Sequence, residues 1–305
     1  MNWRYRAYQS TKLYVMPLLR GRILSFEIHN PYIGFFAQLT WCASVLEYCK
    51  QRGLTAHLSS TSPNYGDPAR SANWLSYFFE VVDPGPRVDF RISQMSELCI
   101  PLKYLNCRTI EETSELVKLR MPLKQEILSK LEQFCGEHFA GKTIVGVHFR
   151  GNDKIEEAPR VSWDSMRETI ANYLRANHDV HGLFIATDEL PFRAYIADSF
   201  PGLEVISYGR SLATDSKADL GGSNYAKGEG ALMDCLLLSR CSAAIRTTSF
   251  LSAWASIFNP KLPIVLMNRP YPQKLWFPES LLISKSMSEY LPAALLPNRF
   301  HRMHV

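Results

Sequence analysis

The stretch TIVGVHFRGNDKIEEAPR, residues 143–160, decides how the second half of the chain is interpreted. Its first seven residues are rich in β-branched and aromatic side chains, a composition typical of a buried strand, and the rest is polar. In an open parallel sheet, ligands bind outside the carboxyl ends of the strands. We therefore predict a strand at 143–149 whose polar continuation lies at a ligand-binding edge.

Apolar runs of strand length alternate with amphipathic segments of helix length on both sides of this strand. In the second half we predict further strands at 182–186, 204–207, 243–246 and 263–267, and helices at 163–176, 191–200, 228–241 and 249–258. Strands separated by helical crossovers favour an α/β fold, a parallel, doubly wound sheet with helices on both faces.

The first half of the chain begins in a similar way. We predict a strand at 23–28, an amphipathic helix at 35–51 that stops near Gly53, a strand at 54–58, and a charged helical stretch at 109–136. An aromatic cluster at 74–79 is expected to be core more readily than a sugar platform. We place the domain boundary near 139–142, which gives a first domain at 1–140 and a second domain at 141–305.

Composition and charge exclude several classes of protein. Of the 305 residues, 46% are hydrophobic and 21% are charged, which excludes a mainly disordered, collagen-like or polytopic membrane chain. The net charge is +5, and no run of five like charges occurs. This modest surplus suits a local anion pocket better than a nucleic-acid surface, so we expect no nucleic-acid partner.

The cysteine pattern and the hydropathy bear on the compartment. The sequence has seven cysteines and no CxxC pair, so we do not expect a disulfide framework. No apolar run reaches the roughly 18 residues needed to span a bilayer. We expect a cytoplasmic protein of bacterial type, with peripheral attachment to a membrane left open, and no integral membrane segment.

The residues that follow the predicted strands are polar. They are the segments 148–160, 186–189, 208–210, 246–250 and 268–271. Arginines, a lysine, hydroxyl groups and the amides of a helix beginning near Ser249 would form a cradle for a diphosphate, because a helix N-terminus carries unsatisfied donors and partial positive charge.

Each candidate also has a structural explanation. His148 suits an interior hydrogen-bonded histidine, and Arg150 suits an ion pair with Asp153 or another carboxylate. Asp188 and residues 247–249 suit helix N-caps, while Glu156 and Glu157 suit a solvated turn. Their shared position at the strand ends favours the functional interpretation over these alternatives.

Several common catalytic and binding motifs are missing from the sequence. It has no GxGxxG after a strand, no HExxH, no GxSxG and no zinc-like Cys/His spacing. One GxxxxGK[ST] match, GEHFAGKT at 136–143, leads from a predicted helical stretch into a predicted strand, so it lacks the strand-to-helix context of a phosphate-binding loop. It also has no DxD pair that would hold a divalent metal on a nucleotide diphosphate. We therefore expect no metal and no cofactor, with side-chain cations and backbone amides neutralising any bound diphosphate.

The segment GKTIVGVHFRGNDKIEEAPR, residues 141–160, resembles the first motif of the α1,6-fucosyltransferase superfamily, which includes the rhizobial nodulation fucosyltransferases. LFIATDE at 183–189 looks like the second motif, and the segment 230–258 looks like the third. The segment 34–54 is similar to the glycine loop and helix that open the first domain of the family. The motifs occur in order from about residue 34 to residue 260.

This resemblance implies a GT-B architecture, two Rossmann-like domains facing across a cleft, with the donor in the second domain and the acceptor mostly on the first. It implies an inverting, metal-independent transfer of fucose from GDP-fucose to a glycan. The partners would be the nucleotide sugar and the glycan acceptor, and GDP-fucose would be a substrate rather than a cofactor.

The resemblance also implies roles for individual residues. His148 and Arg150 match the pair that contacts GDP, and Asp188 matches the acidic position that accepts from the guanine. The other donor-site residues it implies are Arg246, Thr248, Ser249 and Phe250 around the phosphates, and Gly34 and Phe35 on the facing loop.

Two departures from the family pattern leave alternatives open. Gly151 stands where family members have a second basic residue, and Lys154 is our candidate for the missing charge. Glu157 and Glu156 compete as the catalytic base, with Glu157 preferred. The alternatives are a GT-B enzyme with another nucleotide sugar, and a catalytically silent glycan- or nucleotide-binding protein.

Overall fold

The computed structural model describes residues 3–67, 69–84, 88–93, 109–150, 156–208 and 223–271. The chain divides into two compact units. The first consists of Met1–Arg108, Glu112–Gln125 and Ser223–Gly228, and the remaining residues form the second. The domain boundary at 140/141 stays a prediction.

The first unit contains a parallel sheet of three strands in the order β2-β1-β3. Its elements are α1 (Trp3–Leu19), β1 (Ile23–His29), α2 (Phe35–Gln51), β2 (Thr55–Thr61), α3 (Leu75–Phe78), β3 (Phe90–Ile92) and most of α4 (Ile110–Arg120). Neither α1 nor β3 is predicted from the sequence. The three-residue β3 is too short to show a period of two, and its pairing with β1 defines it.

The central strand β1 has one apolar and one polar face. Leu24, Phe26 and Ile28 are fully buried, whereas Glu27 and His29 lie on the opposite face. Successive side chains of a strand alternate between the two faces of the sheet, so the sequence LSFEIH by itself dictates this division.

The charged stretch at 109–136 forms two helices instead of one. The helix α4 ends at Arg120 and α5 (Gln125–His138) begins after a four-residue break that contains Pro122. Proline disfavours the α conformation of the residue before it and lacks an N–H group. The Pro122 carbonyl accepts a hydrogen bond from the Glu80 N–H, and Leu123 forms a bridge with Phe79, so the break is used for packing.

The second unit contains a parallel sheet of five strands in the order β6-β5-β4-β7-β8. After α5 the elements are β4 (Thr143–Phe149), α6 (Trp163–Ala176), β5 (Val180–Thr187), α7 (Leu190–Ser199), β6 (Glu204–Ile206), α8 (Asn224–Arg240), β7 (Ala243–Arg246), α9 (Phe250–Phe258) and β8 (Ile264–Leu266). The predicted α/β, doubly wound parallel fold is confirmed, and the predicted bounds differ only at element ends.

Helices cover both faces of this sheet, which explains why its strands are apolar runs without alternation. On one face Val147 and Phe149 of β4 belong to the main core, and the Phe149 ring stacks on Phe192 of α7 at 4.2 Å. On the other face Gly146 lies against α8, where a Cβ would meet Leu238 Cδ2 at 2.9 Å. Glycine at this position therefore permits close packing of α8 on the central strand.

Among the described residues, no helix combines the length and the apolar character needed to cross a membrane.

Candidate functional site

The register of the second sheet brings the predicted site residues to one edge. His148 of β4 pairs with Ala186 of β5 on one side and with Arg246 of β7 on the other. Arg150, Asp188 and Thr247 come one or two residues after these paired positions. The three residues therefore leave the sheet at about the same level. This edge is the carboxyl edge, where the sequence predicts a ligand.

Arg150 directly follows β4 and is tied to the neighbouring strand end. Its backbone N–H donates to Thr247 Oγ1 at 3.1 Å, and the Thr247 N–H donates to the His148 carbonyl at 3.0 Å. These two bonds fix the backbone from which the Arg150 side chain extends. The sequence predicts Thr247 only as a helix N-cap, and this role of its hydroxyl is found only in the structure.

The Arg150 guanidinium lies beside Asp188, with Nε 3.7 Å from Oδ2. The two side chains are 33% and 51% exposed, so water screens the pair and it contributes little to stability. Arg150 thus pairs with a carboxylate at the end of β5; its other suggested partner, Asp153, lies outside the described residues. An exposed, long ion pair is easily exchanged for a bound anion. Asp188 is not a helix N-cap, since Glu189 holds that position in α7.

His148 is an interior residue, only 4% exposed. Burial, and to a smaller extent the charges of Arg150 and Arg246, lower the pKa of its imidazole from 6.5 to about 3. Its Nδ1 lies 3.4 Å from Thr247 Oγ1. The ring is therefore neutral at physiological pH and acts as a hydrogen-bonding group, not as a cation.

The turn between β7 and α9 is built from buried polar residues. Arg246 is fully buried, and its Nη1 donates to Ser252 Oγ at 3.3 Å. Ser249 caps α9 by accepting from the Leu251 N–H, and the Thr248 hydroxyl donates to the Asn268 carbonyl at 2.7 Å. Ser249 is therefore the N-cap of α9, as the alternative interpretation of this residue predicts. The backbone amides at the start of α9, including that of the half-buried Phe250, lie at the carboxyl edge of the sheet.

The segment after β8 holds the segment after β4. Asn268 Nδ2 donates to the Pro159 carbonyl at 2.6 Å, and the Tyr271 N–H donates to the Glu157 carbonyl at 2.9 Å. Glu157 is half-buried with its Oε2 atom below the surface, whereas Glu156 is exposed. The sequence places the polar segment 268–271 at this edge, but the contacts of Asn268 are found only in the structure.

Some predicted residues lie outside the described part of the chain: Lys154, Gly151 and positions 209–210.

In the first unit, Gly34 is the exposed N-cap of α2, and Phe35 is the first helical residue. The Phe35 N–H donates to the Tyr65 hydroxyl at 3.0 Å. Its ring is 2% exposed and packs against Tyr65, Trp74 and Phe78. The Phe35 side chain thus belongs to the core of this unit, and so does the aromatic cluster around Trp74, as the sequence favours.

Within the part of the chain that the structure describes, no group of three or more His, Cys, Asp or Glu side chains is placed to hold a metal ion.

No protein-family model matches the sequence, and a search of curated proteins gives no match. Solved structures do match. The fucosyltransferase NodZ from Bradyrhizobium aligns with a TM-score of 0.57 at 19% identity, over 80% of this chain and 95% of that one. NodZ α1,6-fucosyltransferase co-crystallised with GDP gives 0.56 at 19% identity, covering 79% and 95%, and the form soaked with GDP-fucose gives 0.53 at 18%, covering 81% and 99%.

At these identities the similarity concerns the fold. The chain has the α/β fold of the NodZ fucosyltransferase structures, which is the fold class that the resemblance of its sequence motifs implies.

Proposed function

We propose that this protein is a glycosyltransferase that moves fucose from GDP-fucose to a glycan acceptor. The observation that carries the proposal is the placement of Arg150. Its backbone is tied to Thr247 at the end of the next strand, and its guanidinium is partly exposed at the carboxyl edge, near the start of α9. The support from comparison is the shared fold of NodZ structures prepared with GDP and with GDP-fucose.

The basic residues and the helix N-terminus suit a diphosphate. An arginine fork binds two phosphate oxygens at once, and the N-terminus of α9 offers amides and partial positive charge. The buried Arg246 adds positive charge behind the turn. We assign the phosphates to Arg150 and to the turn 248–250, with Lys154 as a further cation.

In this proposal Asp188 acts as an anion and His148 acts as a neutral group. Asp188 would release Arg150 and accept hydrogen bonds from the guanine N–H groups, which the weak, exposed ion pair permits at little cost. His148 would serve as a neutral hydrogen-bonding partner near the diphosphate, since its pKa of about 3 keeps it uncharged.

The proposed reaction is an inverting, metal-independent transfer. The acceptor hydroxyl attacks C1 of fucose while the bond from C1 to the GDP oxygen breaks, and Arg150 stabilises the negative charge that develops on the diphosphate. A base must take the proton of the acceptor hydroxyl. In the second unit the candidates for that base are Glu157 and Glu156. The cytoplasmic location stays a prediction.

Arg150→Ala tests the donor site. A hydrogen bond to a charged group contributes about 1.5–3 kcal/mol, so the GDP affinity measured by calorimetry should fall by a factor on the order of 10–100, and nearly all transfer should be lost. Arg150→Lys should be intermediate, because it keeps the charge and loses the fork. Arg175→Ala, an exposed arginine of α6, is the matched control and should leave both unchanged. An Arg150→Ala protein with wild-type turnover would refute the site.

Metal independence has its own test. We expect EDTA to leave GDP binding and transfer unchanged, because side-chain cations and amides neutralise the diphosphate. Strong inhibition by EDTA that added Mn²⁺ reverses would contradict this part of the proposal.

Another nucleotide sugar is the second candidate donor, and the observation that favours it is Gly151 in place of the family's second basic residue. Calorimetry with GDP, UDP and ADP separates the candidates. Preference for GDP supports the fucosyltransferase, and preference for UDP supports the alternative.

A further inference from the structure

The outward side of the helix α1, in the first unit, is apolar. Among the described residues, nine large hydrophobic side chains are exposed, and six of them lie within 8–23. These six are Tyr8, Tyr14, Val15, Leu18, Leu19 and Ile23. The most exposed are Leu18 at 85% and Leu19 at 71%. Single apolar side chains are normal on a protein surface, but apolar side chains gathered in one patch mark a surface that binds a partner.

The helical spacing gathers these side chains on one side of α1. Residues three, four or seven positions apart face the same way in an α-helix. Val15 comes seven residues after Tyr8, and Leu18 comes three after Val15 and four after Tyr14. Leu13 points to the opposite side and is only 6% exposed. The helix thus packs on the first unit through one side and presents an apolar side outward.

Basic residues border this apolar side. Residues 1–26 contain five basic residues and no acidic one. Arg4 near the start of the helix and Arg22 just after its end are exposed. Arg52, after the end of α2, lies over the Tyr14 ring at 4.8 Å, and its Nη2 donates to the Tyr14 hydroxyl at 3.3 Å. The border of the apolar side therefore carries positive charge.

The acidic residue that this segment contacts is buried. Asp89 is 6% exposed, and its Oδ1 lies 3.3 Å from Arg20 Nη2. The Lys12 ammonium donates to the Asp89 carbonyl. Lys12 and Arg20 thus tie the helix to the segment just before β3, whereas Arg4 and Arg22 keep their charges at the surface.

A membrane surface that contains anionic lipids matches this arrangement. Its headgroups carry negative charge, and the apolar acyl chains begin just beneath them. A helix in this interface places aliphatic side chains among the acyl chains, tyrosine rings at the level of the headgroups and arginines on the lipid phosphates. With 17 residues that include Lys12 and Pro17, α1 is suited to lie along such a surface and not to cross it.

Two other partners match less well. A nucleic acid would neutralise the arginines and leave the exposed leucines in water. A second copy of this chain, packed through the same side, would cover the leucines and bring two sets of arginines together, with no acidic residue in 1–26 to separate them.

We propose that α1 is a membrane-surface anchor that binds anionic phospholipid. Leu18 and Leu19 enter the interface, and Arg4 and Arg22 bind lipid phosphates at its border. The sequence leaves peripheral attachment to a membrane open, and this proposal assigns it to one side of one helix. It does not depend on the proposed transferase function, because lipid binding is measured without a nucleotide sugar.

The first test is co-sedimentation of the full chain with lipid vesicles. One set contains phosphatidylglycerol and phosphatidylcholine in equal parts, and the other contains phosphatidylcholine alone. A basic residue near an anionic surface contributes about fivefold in affinity, so two or more should make binding to the neutral vesicles weaker by more than about tenfold. No binding to the anionic vesicles, or equal binding to both, would overturn the proposal.

Leu18→Ser tests the apolar side. It removes an aliphatic side chain from the interface and should weaken binding to the anionic vesicles by about tenfold. The matched control is Leu119→Ser, which changes a 70% exposed leucine of α4 and should bind as the wild type does. Both leucines are exposed, so both variants should keep the wild-type midpoint in urea. Unchanged binding by Leu18→Ser would show attraction of charges alone and overturn the anchor.

Arg22→Asn tests the border. Asparagine is chosen because Arg22 has a φ of 70°, a left-handed conformation that asparagine adopts readily. This variant should bind the anionic vesicles about fivefold more weakly, whereas Arg175→Asn, in the exposed part of α6, should bind as the wild type does. Equal affinities of the two variants would overturn the role of Arg22.

Sedimentation velocity without lipid distinguishes a membrane from a second copy. We expect the wild type and Leu18→Ser to have the same molecular mass. A wild-type dimer that Leu18→Ser dissociates would show that a second copy covers this side of α1, and it would overturn the proposal. A protein that binds the anionic vesicles but transfers no sugar would refute only the transferase.

Discussion

Acidification should destabilise the protein through the buried His148. Burial, and then the charges of Arg150 and Arg246, lower the pKa of this imidazole from 6.5 to about 3. In the unfolded chain the ring titrates near 6.5. Because the folded pKa lies below the unfolded one, the unfolded state binds the proton first as the pH falls. Folding stability is therefore lost between about pH 6.5 and pH 3.

The size of the effect follows from the two pKa values of His148. Each pH unit between them costs about 1.36 kcal/mol, and the loss begins gradually near the upper value. Between pH 7 and pH 5 the free energy of unfolding should therefore fall by about 2 kcal/mol through this one group. Most carboxylates titrate below this range, so the window is favourable for the measurement.

The assay is urea unfolding of the wild-type protein and of His148→Asn at several pH values between 7 and 5. Other titrating groups are common to both proteins and cancel in the difference. We expect the wild type to lose about 2 kcal/mol more than the variant over this range. Should the variant not fold, ¹⁵N-histidine NMR of the wild type is the second measurement, and it should show His148 still neutral at pH 5. Parallel stability curves, or a His148 that is protonated near pH 6, would refute the reasoning.

Three further outcomes are expected. Ser249→Ala should lower the free energy of unfolding by about 1 kcal/mol, because α9 loses its cap. The control is Ser256→Ala, which changes a buried serine of the same helix that makes no hydrogen bond within the described residues and should have no such cost. Equal urea unfolding curves for the two variants would contradict this. Phe35→Ala should lose about 3–5 kcal/mol in the same assay, because the ring is core; a loss below about 1 kcal/mol would argue that the ring is not packed. Burial raises the pKa of the Cys49 thiol to about 12, so peptide-level mass spectrometry after brief native alkylation should find the half-buried Cys135 modified before Cys49, and the reverse order would be inconsistent with this structure.

The sequence by itself determines the strands and helices of the second unit. The predicted strand 143–149 and helix 163–176 match β4 and α6, and the strand 243–246 matches β7. These elements are readable because the composition of a buried strand and the period of an amphipathic helix are local properties. The break at Pro122 is not predicted, because the charged pattern around it favours one continuous helical stretch at 109–136, although proline disfavours the α conformation of the residue before it.

The sequence also determines which residues follow the strands, and so it places Arg150, Asp188 and Arg246 at one edge. It does not determine what each one contacts. The tertiary structure pairs Arg150 with Asp188, assigns Ser249 to a helix cap and buries Phe35 in a core.

The tertiary structure alone reveals the hydrogen bonds that link Glu27 through Thr61 to His29. Thr61 is 34 residues from Glu27 and 32 from His29 in sequence, so no local pattern connects them. Their contact depends on the register between β1 and β2, and a shift of one residue would turn the opposite face toward these groups. Local periodicity fixes the elements, whereas the register between elements distant in the chain fixes the chemistry at their ends.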